Sequence, residues 1–234
     1  LWLALWVCAA LLPRAAALSA AAAVTMDADT GETLFAENAD SRLPMASTTK
    51  IMTALVALGE GDLDRVYTVK KQYAAVEGSS MYLEEGERLT LRDTLYGLLL
   101  SSGNDAAAAV AGECGGERAF VDKMNAKARE LGLTDTRFEN PSGLPSDGHY
   151  TTARELAKIT AAALRDPVFR DIVSTKTCTA AGRTLVNHNR LLSLYEDAIG
   201  VKTGFTRAAG RCLVSAAERN GRTVIAVTLN DPDD

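Results

Sequence analysis

The stretch Arg211–Leu229, RCLVSAAERNGRTVIAVTL, decides the fold. Residues 211–217 and 222–229 flank Asn220-Gly221, a strong signal for a two-residue β-hairpin turn. A further strand over 199–203 should lie beside this pair. At the other end of the chain, residues 24–28 and 32–37 alternate weakly around Asp29-Thr30-Gly31 and predict another hairpin. The segments between them read as helices. Strands, then helices, then strands imply an α+β fold: an antiparallel sheet formed from both chain ends, flanking helices, and an inserted helical region over about 45–165.

The helical segments have recognisable limits. Pro44 breaks the chain before an apolar helix over 47–58 that ends at Gly59. Ile51, Met52, Leu55, Val56 and Leu58 leave it little polar face, so it should be a buried central helix. Thr90 and Asp93 form a capping-box pattern for a helix reaching Leu100, and Ala106–Ala111 is a second. Residues 117–131 place Phe120, Met124, Ala128 and Leu131 on one face and stop at Gly132. Thr152 and Glu155 cap another helix that runs to about Leu164.

The chain has 234 residues, is 47% hydrophobic and carries a net charge of −5, which suits a packed domain and gives no attraction for nucleic acid. Leu1–Leu12 is almost wholly apolar and is followed by small residues from Ala15 to Ala23. An apolar core of about 12 residues ending in small-residue sites reads as a secretory signal peptide over 1–20, shorter than the ~20 residues of a membrane span. A buried or membrane-anchoring helix is the other reading. The main domain then occupies 21–234, works outside the cytoplasm, and both chain ends read as clipped. Cys8 lies in the signal. Cys114, Cys178 and Cys212 are far apart, without a C-x-x-C; they read as unpaired thiols, with one disulfide as the alternative. No metal or cofactor is expected, since only His149 and His188 are available and their flanks do not suggest a site.

Three motifs carry chemistry. Ser47-Thr-Thr-Lys50 puts a hydroxyl and an amine one helical turn apart near a helix N-terminus. Serine needs a base, and a lysine desolvated by apolar neighbours and close to other cations loses its proton more easily. Ser102-Gly-Asn104 lies at the break between two helices, where a hydroxyl and an amide can face a cleft. Lys202-Thr-Gly204 ends a predicted strand, offering charge and a hydroxyl to a carboxylate, while Gly204 lets a ligand approach the backbone. Singly, each also reads as ordinary structure: a capped helix start, a turn, a strand end.

Together the motifs match the S-x-x-K, S-D-N and K-T-G set of penicillin-binding proteins and class A β-lactamases, with Ser-Gly-Asn in the middle here. Pro44–Thr53, Leu100–Ala106, Asn140-Pro-Ser-Gly-Leu144, Val201–Thr206 and the first hairpin extend the match over about 24–230. The chain resembles the low-molecular-mass D-alanyl-D-alanine carboxypeptidases, the serine peptidases among penicillin-binding proteins, with their β-lactamase/transpeptidase-like fold. The resemblance implies Ser47 as nucleophile, Lys50 as proton acceptor and Ser102 as proton carrier. Asn104, Lys202, Thr203 and Gly204 would bind substrate, and the backbone N–H groups of Ser47 and Phe205 would form the oxyanion hole. His188 stands where relatives often carry Arg, and it is a further substrate-binding candidate beside the reading of a polar strand residue. The implied partners are a peptidoglycan pentapeptide and β-lactam inhibitors. Location at the outer face of the membrane, in the periplasm or in the wall follows, with no anchor visible. Two alternatives stand. A class A-like β-lactamase would need a glutamate in an E-x-x-x-N pattern, but Gly143 stands four residues after Glu139. A non-turnover β-lactam sensor would need signalling segments.

Overall fold

The computed structural model describes residues 18–232. The expected signal segment therefore lies, but for its last residues, outside the described part. Strands β1 (Ala22–Asp27) and β2 (Thr33–Glu37) form the N-terminal hairpin. Helix α1 (Lys50–Gly59) follows a 3₁₀ turn, and β3 (Val66–Thr68), α2 (Lys71–Ala74) and β4 (Arg88–Thr90) come next. Then run α3 (Leu91–Leu99), α4 (Asn104–Glu113), α5 (Glu117–Glu130), α6 (Ala153–Leu164) and α7 (Pro167–Ser174). A small hairpin of β5 (Thr177–Ala180) and β6 (Arg183–Val186) precedes α8 (Leu191–Leu194). The chain closes with β7 (Ala198–Thr206), β8 (Gly210–Arg219) and β9 (Arg222–Asp231).

The main sheet is antiparallel in the order β2-β1-β9-β8-β7, so both chain ends do build it. Asn220 and Gly221 both take positive φ (53° and 73°), as the primed turn between β8 and β9 requires. Thr223, Ile225, Val227 and Leu229 of β9 are buried, with Cys212, Val214 and Ala216 of β8 and Val24 and Met26 of β1. Asp27 locks the two ends: one carboxylate oxygen accepts the Asp29 and Thr30 N–H groups, and the other accepts Arg222 Nε. Those bonds hold its carboxyl well below the usual carboxylate range.

Helix α6 packs on β1 and β9, and α7 packs on β7. Helix α1 lies at the centre, against α3, α4, α5, α6 and α7, and buries Ile51, Met52, Ala54 and Ala57. Several expectations need correction. The helix expected from 47 begins as a 3₁₀ turn over Ala46–Thr49, because the Thr48 and Thr49 hydroxyls bond the carbonyls of Met45 and Ala46 and tighten the chain. Helix α4 starts at Asn104, two residues early. The full capping box holds at Thr90–Asp93 but not at Thr152, where Glu155 turns away to bond Thr134, Asp135 and Thr136. The inserted region is not purely helical and runs past 165, since Asp166 caps α7 and Pro167 opens it. Cys114, Cys178 and Cys212 are all free thiols.

Phe120, on α5, is fully buried and remote from the residues that line the main cleft. Phe120→Ala should lower unfolding stability by about 3–5 kcal/mol, read as a lower urea midpoint, with unchanged activity per folded molecule.

Candidate active site

The first turn of α1 places a buried amine among three oxygen atoms. Lys50 is fully buried, and its Nζ lies 3.0 Å from Ser47 Oγ, 2.7 Å from Asn104 Oδ1 and 2.7 Å from the carbonyl oxygen of Ser142. Burial pushes this amine well below the ordinary lysine value, the Lys202 charge adds to the effect, and Asp105 partly opposes it. Lys202 is also buried; its Nζ donates to the Thr203 carbonyl at 2.9 Å, and desolvation lowers its pKa to about 7.

Each partner is fixed by its own element. Asn104 opens α4; its Nδ2 donates to Glu77 O, which leaves Oδ1 to face Lys50. Asp105 is buried and accepts Ser80 Oγ and the N–H groups of Met81 and Leu83, so it holds the loop that carries Ser79 over the cleft. Ser102 takes φ of +60° in the break between α3 and α4. Asn140 organises the 140–144 turn: its Oδ1 accepts the N–H groups of Ser142 and Gly143, its Nδ2 donates to Leu144 O, and the Ser142 carbonyl is thereby aimed at Lys50.

Ser47, Ser102, His188, Thr203, Gly204 and Phe205 line one cleft of about 670 Å³. Lys50, Asn104 and Lys202 are not part of its lining, and all three are buried. Gly204 packs against the 3₁₀ turn that carries Ser47: a Cβ there would stand 3.0 Å from Ser47 N. His188 is exposed in the cleft wall, its backbone N–H donates to Leu100 O, and partial desolvation together with Lys202 lowers its pKa. The structure thus places six of the sequence-predicted site residues on the cleft and three, Lys50, Asn104 and Lys202, in the buried interior, where Lys50 contacts Ser47 and Asn104. Glu139, weighed for a β-lactamase, is spent elsewhere: its carboxylate accepts Ser146 Oγ and Gly148 N and pairs with Arg137.

Sequence reasoning missed the Ser142 carbonyl, Asp105 and Ser79. The Asn140–Leu144 motif was a visible signal for the first, but a backbone acceptor has no residue signature. Asp105 follows Asn104 directly and reads as an ordinary acidic residue in a helix's first turn.

Comparison with known proteins follows the same line. The sequence profile described as D-alanyl-D-alanine carboxypeptidase matches residues 9–233. A D-alanyl-D-alanine carboxypeptidase of Streptomyces sp. (strain K15) is 40% identical over 91% of this chain and 81% of its own length. The carboxypeptidase DacF of Bacillus subtilis is 40% identical over 90% of this chain, which spans 57% of that relative's length. The crystal structure of the Streptomyces K15 DD-transpeptidase superposes with a TM-score of 0.88 at 38% identity, covering 93% of this chain and 92% of the other. These relatives favour neither the β-lactamase nor the sensor reading.

Gly143 has φ of +88°, and a Cβ there would collide with Ala46 O, next to Ser47. Gly143→Ala should therefore reduce acylation by about 100-fold, the scale of an ångström misplacement, measured with a labelled penicillin. On fold, site and sequence together, this chain belongs to the D-alanyl-D-alanine carboxypeptidase family and is a hydrolase of that class.

Proposed function

We propose that the chain removes the terminal D-alanine from peptidoglycan stem peptides, with Ser47 as nucleophile and Lys50 as its base. The observation that carries this is the environment of Lys50 Nζ. A neutral amine has two N–H donors and one lone pair. The carbonyls of Asn104 and Ser142 take the donors, and the lone pair is left for the Ser47 hydroxyl at 3.0 Å. A protonated Lys50 would instead donate to Ser47 and hold it inactive. Burial and the Lys202 charge favour the neutral form.

In this reading Ser47 Oγ bonds the carbonyl carbon between the two D-alanines as its proton moves to Lys50. The oxyanion meets the N–H groups of Ser47 and Phe205, each worth roughly 3 kcal/mol in comparable sites. Ser102 relays that proton from Lys50 to the departing amine as the C–N bond breaks and D-alanine leaves, which returns Lys50 to its neutral form. Water then attacks the acyl-enzyme and gives a proton to Lys50, which passes it to Ser47 Oγ as the ester C–O bond breaks. Strand β7 is the edge of the sheet, so an extended peptide can lie along it. Lys202, Thr203 and His188 receive the terminal carboxylate at one end of this path, where Gly204 lets the backbone come close. An amine in place of water would give transpeptidation, the activity in the printed name of the Streptomyces structure. A β-lactam would acylate Ser47 in place of the peptide. The substrate places the enzyme outside the cytoplasmic membrane; among the described residues no helix is long and apolar enough to cross it.

Incubation with a peptide ending in Lys-D-Ala-D-Ala should release free D-alanine, and Ser47→Ala should abolish both release and penicillin labelling. Release by the Ser47→Ala variant would remove Ser47 as nucleophile, and normal acylation by Lys50→Ala would remove Lys50 as base.

Lys202 sets a second expectation. A carboxylate is held by the protonated amine, whose free-enzyme pKa is about 7. Above that pH a proton must be taken up on binding, so KM should rise towards about tenfold per pH unit. A C-terminal amide analogue should bind poorly without this dependence. A flat KM profile for the free carboxylate would sink the role of Lys202.

A further inference from the structure

We propose that His149 is a positioning residue for acylation: through Thr49 it fixes the turn that presents Ser47 and Lys50. The inference rests on the reading of Ser47 as nucleophile.

His149 is buried on the segment before α6 and is not among the residues that line the cleft. Its Nδ1 lies 3.0 Å from the backbone nitrogen of Glu139. A peptide N–H can only donate, so Nδ1 must be the acceptor and the ring proton sits on Nε2. Nε2 lies 2.8 Å from Thr49 Oγ1 and therefore donates to it. With its lone pair so engaged, the Thr49 hydroxyl gives its own proton to Ala46 O at 2.8 Å. One peptide group thus sets the direction of the whole relay, from Glu139 through His149 and Thr49 to Ala46.

Ala46 and Thr49 are the two ends of the 3₁₀ turn, and Ser47 lies between them. Ala46 takes φ of +48°, a conformation an alanine holds only under outside constraint. Lys50 follows Thr49 directly. The bond from His149 therefore braces the hydroxyl that closes the turn, and through it the separation of Ser47 Oγ from Lys50 Nζ. The ring is itself held: its plane meets Phe138 edge-on at 77°, with centroids 5.8 Å apart. Burial lowers its pKa to about 4, which keeps it in the neutral form that the relay needs.

The test separates the two ring nitrogens. Asn at 149 keeps an acceptor near the Nδ1 position but does not reach Thr49; Gln places an amide N–H near the Nε2 position. Acylation by a fluorescent penicillin would be followed over a concentration series, giving the limiting acylation rate and the half-saturation concentration per folded molecule. His149→Asn should lower the limiting rate by about 10- to 100-fold with half-saturation unchanged, while His149→Gln stays within about threefold of the parent. Thr49→Val should reproduce the loss, Thr49→Ser should not, and the His149→Asn/Thr49→Val double variant should be no slower than either single one. A purely structural His149 would lower the melting temperature and leave the rate per folded molecule intact, and that result overturns the proposal. If His149→Asn does not fold, the Thr49→Val and Thr49→Ser pair decides: equal rates overturn it. Parent enzyme that carries no label at Ser47 would instead refute the nucleophile reading.

Discussion

A lysine amine enclosed by three oxygens is the constraint around which this molecule is organised. An ammonium in such a place would be costly unless fully hydrogen-bonded, and the neutral amine is what an apolar surrounding favours. Helix α1 supplies Lys50 and is packed on several sides by other helices, so the amine is shielded from bulk water. Its partners come from three separate segments: the turn before α1, the first residue of α4, and the 140–144 turn. Removing the support of any one leaves a buried polar group without its complement. That explains why so much side-chain hydrogen bonding, from Asn104, Asp105 and Asn140, serves to hold loops rather than to face the cleft.

The sheet plays the complementary part. Strand β7 is its edge and runs beside the turn that carries Ser47, with Gly204 allowing the two backbones to meet. A second buried amine, Lys202, is delivered from that strand. The charge on Lys202 makes Lys50 harder to protonate, while Lys202 is itself shifted by desolvation. Within the sheet, the Asp27–Arg222 pair and the β1–β9 ladder bind the first strand to the last.

Much of the architecture was legible in the chain. Asn220-Gly221 specified its hairpin because few other residues accept two positive φ values in succession. Thr90 and Asp93 marked the start of α3 through bonds that are local in sequence. The hairpin of β5 and β6 escaped notice because its turn is Ala181-Gly182, where alanine takes φ of +48° without a compositional sign. Helix α7 did carry a signal, Asp166-Pro167, that was not used. The 3₁₀ start of α1 was hidden because S-x-x-K spacing fits both helix types, and the choice lay with two threonine hydroxyls.

The sequence alone determined the identities and the order of the chemical groups: a serine and a lysine one turn apart, an amide after a helix break, a lysine and a glycine on one strand, which runs on to Thr206 rather than ending at Gly204. Local physics acts over a few residues, so these assignments needed no tertiary information. Only the tertiary structure decided what those groups are. Whether Lys50 is a solvated cation or a buried, desolvated amine depends on atoms from residues 104 and 142, far along the chain, and one of them is a backbone carbonyl that no side-chain pattern encodes. The same holds for His149, which carries no motif and acquires its meaning from a threonine one hundred residues earlier. Desolvation and hydrogen-bond direction are properties of the packed interior, and the chain acquires them only on folding.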